Sequence, residues 1–214
     1  MKRTAMATVL TGILFLSACS GTSTEEQLND ILESTFEEEA DYRDVQGELQ
    51  SREQNEHQLF ESMMALTKEQ QAEVEEIAQE AIASAEERLE LLETERQSMQ
   101  SAAEQFQSMD QLIEEAEEES LQSDLMALKE RMEERFAKHR EFTDAYQSLT
   151  EHQSELYAMV AEKDMDLETL QAKTNEVNEQ NELVQEAVTA FNEQTEQFNE
   201  LKSDTTQKIE ADNE

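Results

Sequence analysis

The sequence predicts an all-α fold, an elongated antiparallel helical bundle with coiled-coil-like seams, and three observations carry that expectation. Proline is absent and glycine occurs three times in 214 residues, at Gly12, Gly21 and Gly47, so a β fold would lack the residues its turns need. Glu, Gln, Ala, Leu and Met dominate, and all five favour the helix. Apolar residues recur at steps of three and four over long stretches, which is the spacing of one helix face. Leu, Ile, Val and Phe together number only 42. So thin an apolar ration suits long helices sharing narrow seams better than a rounded globule.

The chain opens on a short secretory signal. Lys2 and Arg3 supply its positive start, and Ala5 to Phe15 its apolar run. That run is shorter than the roughly 20 apolar residues a spanning helix needs. Leu16-Ser17-Ala18-Cys19 follows and reads as a bacterial lipobox, with cleavage before Cys19 and diacylglycerol on its thiol. Cys19 is the only cysteine, so no intramolecular disulfide can form, and a lone thiol has no partner in a secreted chain. The expected organisation is a signal peptide at 1–18, a lipidated flexible tether at 19–24, a helical bundle at 25–208 and a polar tail at 209–214. The expected location is the cell membrane, lipid-anchored on its extracellular face.

Removing Lys2 and Arg3 from the 16 basic residues leaves 14 against 53 acids, a formal charge of −39 with histidine neutral. Nothing resembles a basic stripe, so nucleic acid is excluded as a partner, and attraction to anionic lipid headgroups through the protein surface is excluded with it.

The first helix is expected from Thr24 to Met64, with Leu28, Ile31, Leu32, Phe36, Leu49, Leu59, Phe60 and Met63 on its apolar face and a bend at Gly47. Thr67-Lys68-Glu69-Gln70 then reads as a capping box that starts a second helix. Its face runs through Val74, Ala78, Ala81, Ala85, Leu89, Leu92, Met99, Ala103 and Phe106, an alanine-rich seam that permits close approach and buries little area. The acid-dense segment from Ser108 to Ser120 is the expected connection. From Leu121 the spacing settles close to 3.5, through Leu125, Leu128, Met132, Phe136, His139, Phe142, Tyr146, Leu149, Gln153, Leu156 and Val160. Asp166 is the expected N-cap of a last helix carrying Leu167, Leu170, Thr174, Val177, Asn181, Val184, Val188, Phe191, Thr195, Phe198 and Leu201. The polar residues from Ser203 onward are expected to fray. The resulting picture is three long helices with the first packed alongside.

Sites of chemistry are sparse. The residues three before His57, His139 and His152 are Gln54, Phe136 and Leu149, so the Glu-x-x-His pairing of a di-iron bundle is missing. No Gly-x-Ser-x-Gly elbow and no glycine-rich phosphate loop occur. The carboxylates stand among similar neighbours on helices, where a solvated face is the default. No catalytic residue, cofactor or metal ligand is expected, and Cys19 is the one site residue named.

Several strings of the mature chain resemble the YkyA-type cell-wall-binding lipoprotein family of Gram-positive, Bacillus-like bacteria. They are the lipobox at Cys19, Leu59-Phe60 before a Met-rich turn, and Glu80-Ala81-Ile82-Ala83-Ser84-Ala85-Glu86-Glu87-Arg88. Leu156-Tyr157, Lys163-Asp164-Met165-Asp166-Leu167-Glu168-Thr169-Leu170 and Phe191-Asn192-Glu193-Gln194-Thr195 complete the set. The resemblance implies a helical, surface-anchored, non-catalytic protein, with Cys19 as the lipid site. This chain departs from the family picture in being acidic where lysine-rich members are expected. The expected function is a structural or interaction role in the cell envelope. Its partners would be the membrane through the lipid on Cys19 and either a cell-wall polymer or an envelope protein, with self-association left open. A solute- or metal-binding lipoprotein is the second reading, and a wall-active enzyme ranks below it.

Overall fold

The computed structural model describes residues 23–212. Six helices follow one another: α1 Thr24–Glu38, α2 Ala40–Ala65, α3 Gln71–Phe106, α4 Met109–Glu115, α5 Glu119–Val160 and α6 Leu167–Asp212. Helix α1 starts from Ser23, whose hydroxyl accepts from Glu26 N–H while Glu26 reaches back, closing a capping box. A second capping box forms where Thr67 and Gln70 were expected to make one, around a single 3₁₀ turn that leads into α3. Asp166 caps α6 through Thr169 N–H at 3.1 Å.

The chain runs up through α1 and α2, down α3, up α5 and down α6, with the small helix α4 turning the corner between α3 and α5. One end of the bundle gathers Ser23, α4 and the close of α6. The other gathers the turns at 66–70 and 161–166, tied by the Gln71 side chain donating to Ala161 O at 2.5 Å. Helix α5, 42 residues or about 63 Å, is the spine, packed on α3 and on α6. The expected α5 seam is buried from Leu125 to Leu156 except at the half-buried Phe142 and Gln153, and Leu125, Leu128 and Met132 are fully enclosed.

Three hydrophobic clusters lie along the axis. The largest, at the end holding the termini, joins Leu28, Phe106, Leu112, Leu128, Phe198 and Ile209 from five helices. A middle cluster centres on Val45, Leu92, Leu149 and Val184. The cluster at the far end holds Met63, Val74, Ala81 and Tyr157, from α2, α3 and α5. Helix α6 contributes nothing to that last cluster. It leans on α5 alone there, and Leu167, expected on the seam, is 80% exposed.

Several expectations are corrected. The first helix is two helices, and the break falls at Glu39 rather than at Gly47. The Ser98 hydroxyl of α3 causes it by entering the helical ladder: it donates to Glu38 O at 2.5 Å and accepts from Tyr42 N–H at 3.1 Å. Such an insertion is a known source of kinks. The helix packed alongside at the far end is the last, not the first. The acid-dense connection contains α4, whose Met109 and Leu112 are buried. The C-terminal residues remain helical to Asp212, because Thr205 and Ile209 face the largest cluster. The bundle thus runs past 208 into the expected tail, and helix begins inside the expected tether, at Thr24. Cys19 and the signal lie outside the described residues.

Two substitutions test this packing. Leu128→Asp places a charge in the fully enclosed seam and is expected to cost about 3–5 kcal/mol. Gly47→Ala is expected to stabilise by about 0.5–1 kcal/mol, since nothing lies within 4 Å of the added Cβ. Urea melts of the three proteins check both, and a Gly47→Ala protein weaker than wild type would place the bend back at Gly47.

Candidate functional site

The α3 seam is a strict alternation of steps of four and three: Val74, Ala78, Ala81, Ala85, Arg88, Leu92, Glu95, Met99, Ala102 and Phe106, all buried. Two of the ten are charged. Arg88 and Glu95 therefore lie where a heptad places its core, and each meets charged or polar partners from other helices. They separate the hydrophobic clusters.

Between the largest and middle clusters, His139 Nε2 lies 2.7 Å from Glu95 Oε1, while Gln46 donates to Glu95 Oε2 at 2.9 Å. Tyr42 and Phe191 meet the His139 ring edge-on at 5.5 and 5.3 Å. At the same level Arg135 grips Glu39 with both terminal nitrogens, at 2.5 and 2.9 Å, and its Nε donates to Thr195 at 3.1 Å. Phe191 faces this guanidinium at 5.2 Å. Glu39 is the residue at the break between α1 and α2, so the kink supplies the carboxylate that Arg135 needs.

Between the middle and far clusters stands Arg88, 1% exposed, against Glu56, 2% exposed. Arg88 Nε lies 3.1 Å from Glu56 Oε1, an ion-pair distance at which the N–H is not aligned for a hydrogen bond. Its other nitrogens donate to Gln153 at 2.5 Å, Thr150 at 3.2 Å and Tyr146 at 3.4 Å. Glu56 accepts from Ser84 at 2.9 Å and from Tyr157 at 3.3 Å, and Tyr146 donates to Glu53 at 2.7 Å. Burial pushes the Glu56 carboxyl above the ordinary range against the pull of Arg88. Burial also raises the Tyr146 and Tyr157 hydroxyls, reinforced by the glutamates beside them, and it raises Tyr42.

This second network floors an open groove. Because α6 separates from α2 over the bundle's far half and leans on α5 alone, a space of about 770 Å³ remains between α2 and α6, with α3 and α5 beneath. Leu49, Phe60, Leu92, Phe142, Val177 and Val184 supply apolar lining. Asn181, expected on a buried seam, is exposed there. His139 is the buried spacer the sequence suggested, whereas His57 is exposed on the groove's rim. Lys173 of α6 pairs with Glu155 and Glu176 beside the half-exposed His152. Among the described residues no helix is long and apolar enough to cross a membrane. Cys19, the lipid site named from the lipobox, lies outside them.

Sequence reading missed Glu39, Glu56, Arg88, Glu95 and Arg135. The 4-3 spacing of α3 holds the signal for two of them. Leu89 and Ala103, expected on that face, are only half-buried. Three of the strings that carry the family resemblance fall on these networks: Ser84, Arg88 and Tyr157 on the one around Glu56, and Phe191 and Thr195 on the one around Arg135.

A family model described as "YkyA: Putative cell-wall binding lipoprotein" matches residues 23–208. The uncharacterized lipoprotein YkyA of Bacillus subtilis (strain 168) is 27% identical over 200 residues, covering 94% of this chain and 87% of that one. A solved structure, a conserved protein of unknown function from Staphylococcus aureus, superposes with a TM-score of 0.71 over 88% of this chain and 98% of its own. At 12% identity that likeness concerns the fold alone.

Two outcomes are expected from the buried networks. Arg88→Met leaves Glu56 buried without its cation and should cost about 3–5 kcal/mol, whereas Arg88→Met with Glu56→Leu should recover most of that loss. A double-mutant cycle by urea melting decides it, and additive losses would mean the pair is not coupled. The tyrosines set an alkaline limit. Their folded pKa values lie above the unfolded value near 10, so the stability they contribute is whole below about pH 10. It falls above that by up to about 1.4 kcal/mol per pH unit for each of the three. Absorbance at 295 nm should rise together with the loss of helical circular dichroism. Tyrosinate appearing near pH 10 in a folded chain would contradict the burial.

Proposed function

The chain belongs to the YkyA family, and on that premise we propose that it is a lipid-anchored, non-catalytic protein of the cell envelope that engages a partner away from the membrane. The observation that carries this reading is where helix begins. Thr24 opens α1 from its Ser23 cap, five residues after the lipobox cysteine, so a lipid on Cys19 would hold the α1–α4 end of the bundle close to the bilayer. The opposite end would then stand about 60 Å out, given the 42 residues of α5. The open groove lies in that outer half. The wall association in the family's description supports a partner in the wall space, either a polymer or an envelope protein. Surface charge narrows the choice, because −39 repels isolated anionic polymer unless divalent cations bridge the two.

The test is anchoring. Radiolabelled palmitate should enter the wild-type protein and be absent from Cys19→Ala, which should accumulate uncleaved or be shed into the medium. A mature, membrane-bound Cys19→Ala protein would refute the anchor.

A further inference from the structure

We propose that the groove between α2 and α6 is a docking site for a basic amphipathic helix of a partner protein. This deepens the interaction role above by naming the partner's chemistry. It is tested in solution, so its failure leaves the anchoring where it stands.

The groove is a bundle position without a helix. Its α2 wall presents Gln46, Leu49, Glu53, His57 and Phe60, and its α6 wall presents Val177, Asn181, Val184 and Val188, each at the three- and four-residue steps of a helix seam. An amphipathic helix fits such facing seams as it fits other grooves, by apolar anchors at the same steps. From Gln46 to Phe60 the α2 wall runs about 21 Å, the length of some 14 helical residues.

Charge decides the sign. From Thr174 to Leu201 helix α6 contains no lysine or arginine; Glu176 is paired with Lys173, and Glu179, Glu182 and Glu186 follow one another beside the groove seam. On α2 between Gln46 and Phe60 the one such cation, Arg52, is bound by Glu48 and by Glu87 of α3 and does not line the groove. Arg88 is enclosed in its own network. A second copy of this chain would bring the same acids against these and be repelled. A partner helix with lysine or arginine flanking its apolar stripe would not.

Hydrogen bonding at the base leaves little for a sugar. The polar groups there are already engaged: Tyr146 with Glu53, Tyr157 with Glu56, Gln153 with Arg88, and Gln46 with Glu95. Apolar area, rim charge and the wall amides of Gln50, Asn178 and Asn181 are what remain to offer.

The probe is a synthetic 14-residue peptide with leucines at helical spacing, lysines elsewhere and one tryptophan on the apolar face. The full-length chain has no tryptophan, so the emission belongs to the peptide alone. At 0.15 M salt the expected result is saturable one-to-one binding, a blue-shifted emission and a gain of peptide helicity. Asn181→Arg, at an exposed position in the groove, should weaken binding at least tenfold without changing the melting temperature. Glu210→Arg, exposed at the other end of the bundle, should leave affinity within about twofold. Equal binding of a scrambled peptide of the same composition, or equal losses in the two variants, would reduce the effect to general acidity and overturn the proposal. So would self-association abolished by Asn181→Arg, which hands the groove to a second copy. Amide shifts at 177–188 caused by an N-acetylglucosamine oligomer but not by the peptide would overturn it in favour of a glycan.

Discussion

The bundle depends on charges placed where a heptad would ordinarily put aliphatic side chains. Arg88 of α3 faces Glu56 of α2, Glu95 of α3 faces His139 of α5, and Arg135 of α5 faces Glu39 at the α1–α2 break, all of them buried. Such pairs add little net stability over apolar residues of the same volume, because desolvation offsets most of the attraction. Their effect is on alignment. An alanine-rich seam like that of α3 packs almost as well after sliding one heptad, about 10 Å. Sliding would bury Arg88 and Glu95 against alanine and leucine with no partner, at several kcal/mol each. One register survives.

The same networks shape the surface. Two arginines and three glutamates are committed to the interior, so nearly all of the chain's net negative charge stays on the exterior. The elongated form spreads that charge along helices of up to 46 residues and keeps the acids near solvent. The break at Glu39 belongs to this arrangement as well. Ser98 opens the helical ladder, Glu39 turns inward to Arg135, and α2 proceeds along α3 on its new path. At the end holding the termini α1 reaches α6, whereas beyond the kink α2 and α6 part. The groove is the space left by that divergence.

Much of the architecture was legible. The α5 seam from Leu125 to Leu156, the caps at Thr67 and Asp166, and the all-helical class follow from spacing and side-chain chemistry, which act within a few residues. The failures share a cause. Glu39, Glu56 and Arg135 carry no local mark of burial, since a charged residue on a helix is by default solvated. Asn181 and Leu167 keep helical step with the α6 seam, yet they are exposed because the helix that would cover them is elsewhere.

By itself, the sequence determined the helices, their seams and the acidic exterior, because periodicity and propensity are local properties of the chain. It also carried the family resemblance. Only the tertiary structure decided which charges go inside, where the first helix breaks and that α2 and α6 separate. Each of those turns on whether a partner from a distant helix arrives within about 3 Å, and an ion pair's desolvation is offset only when that partner is there.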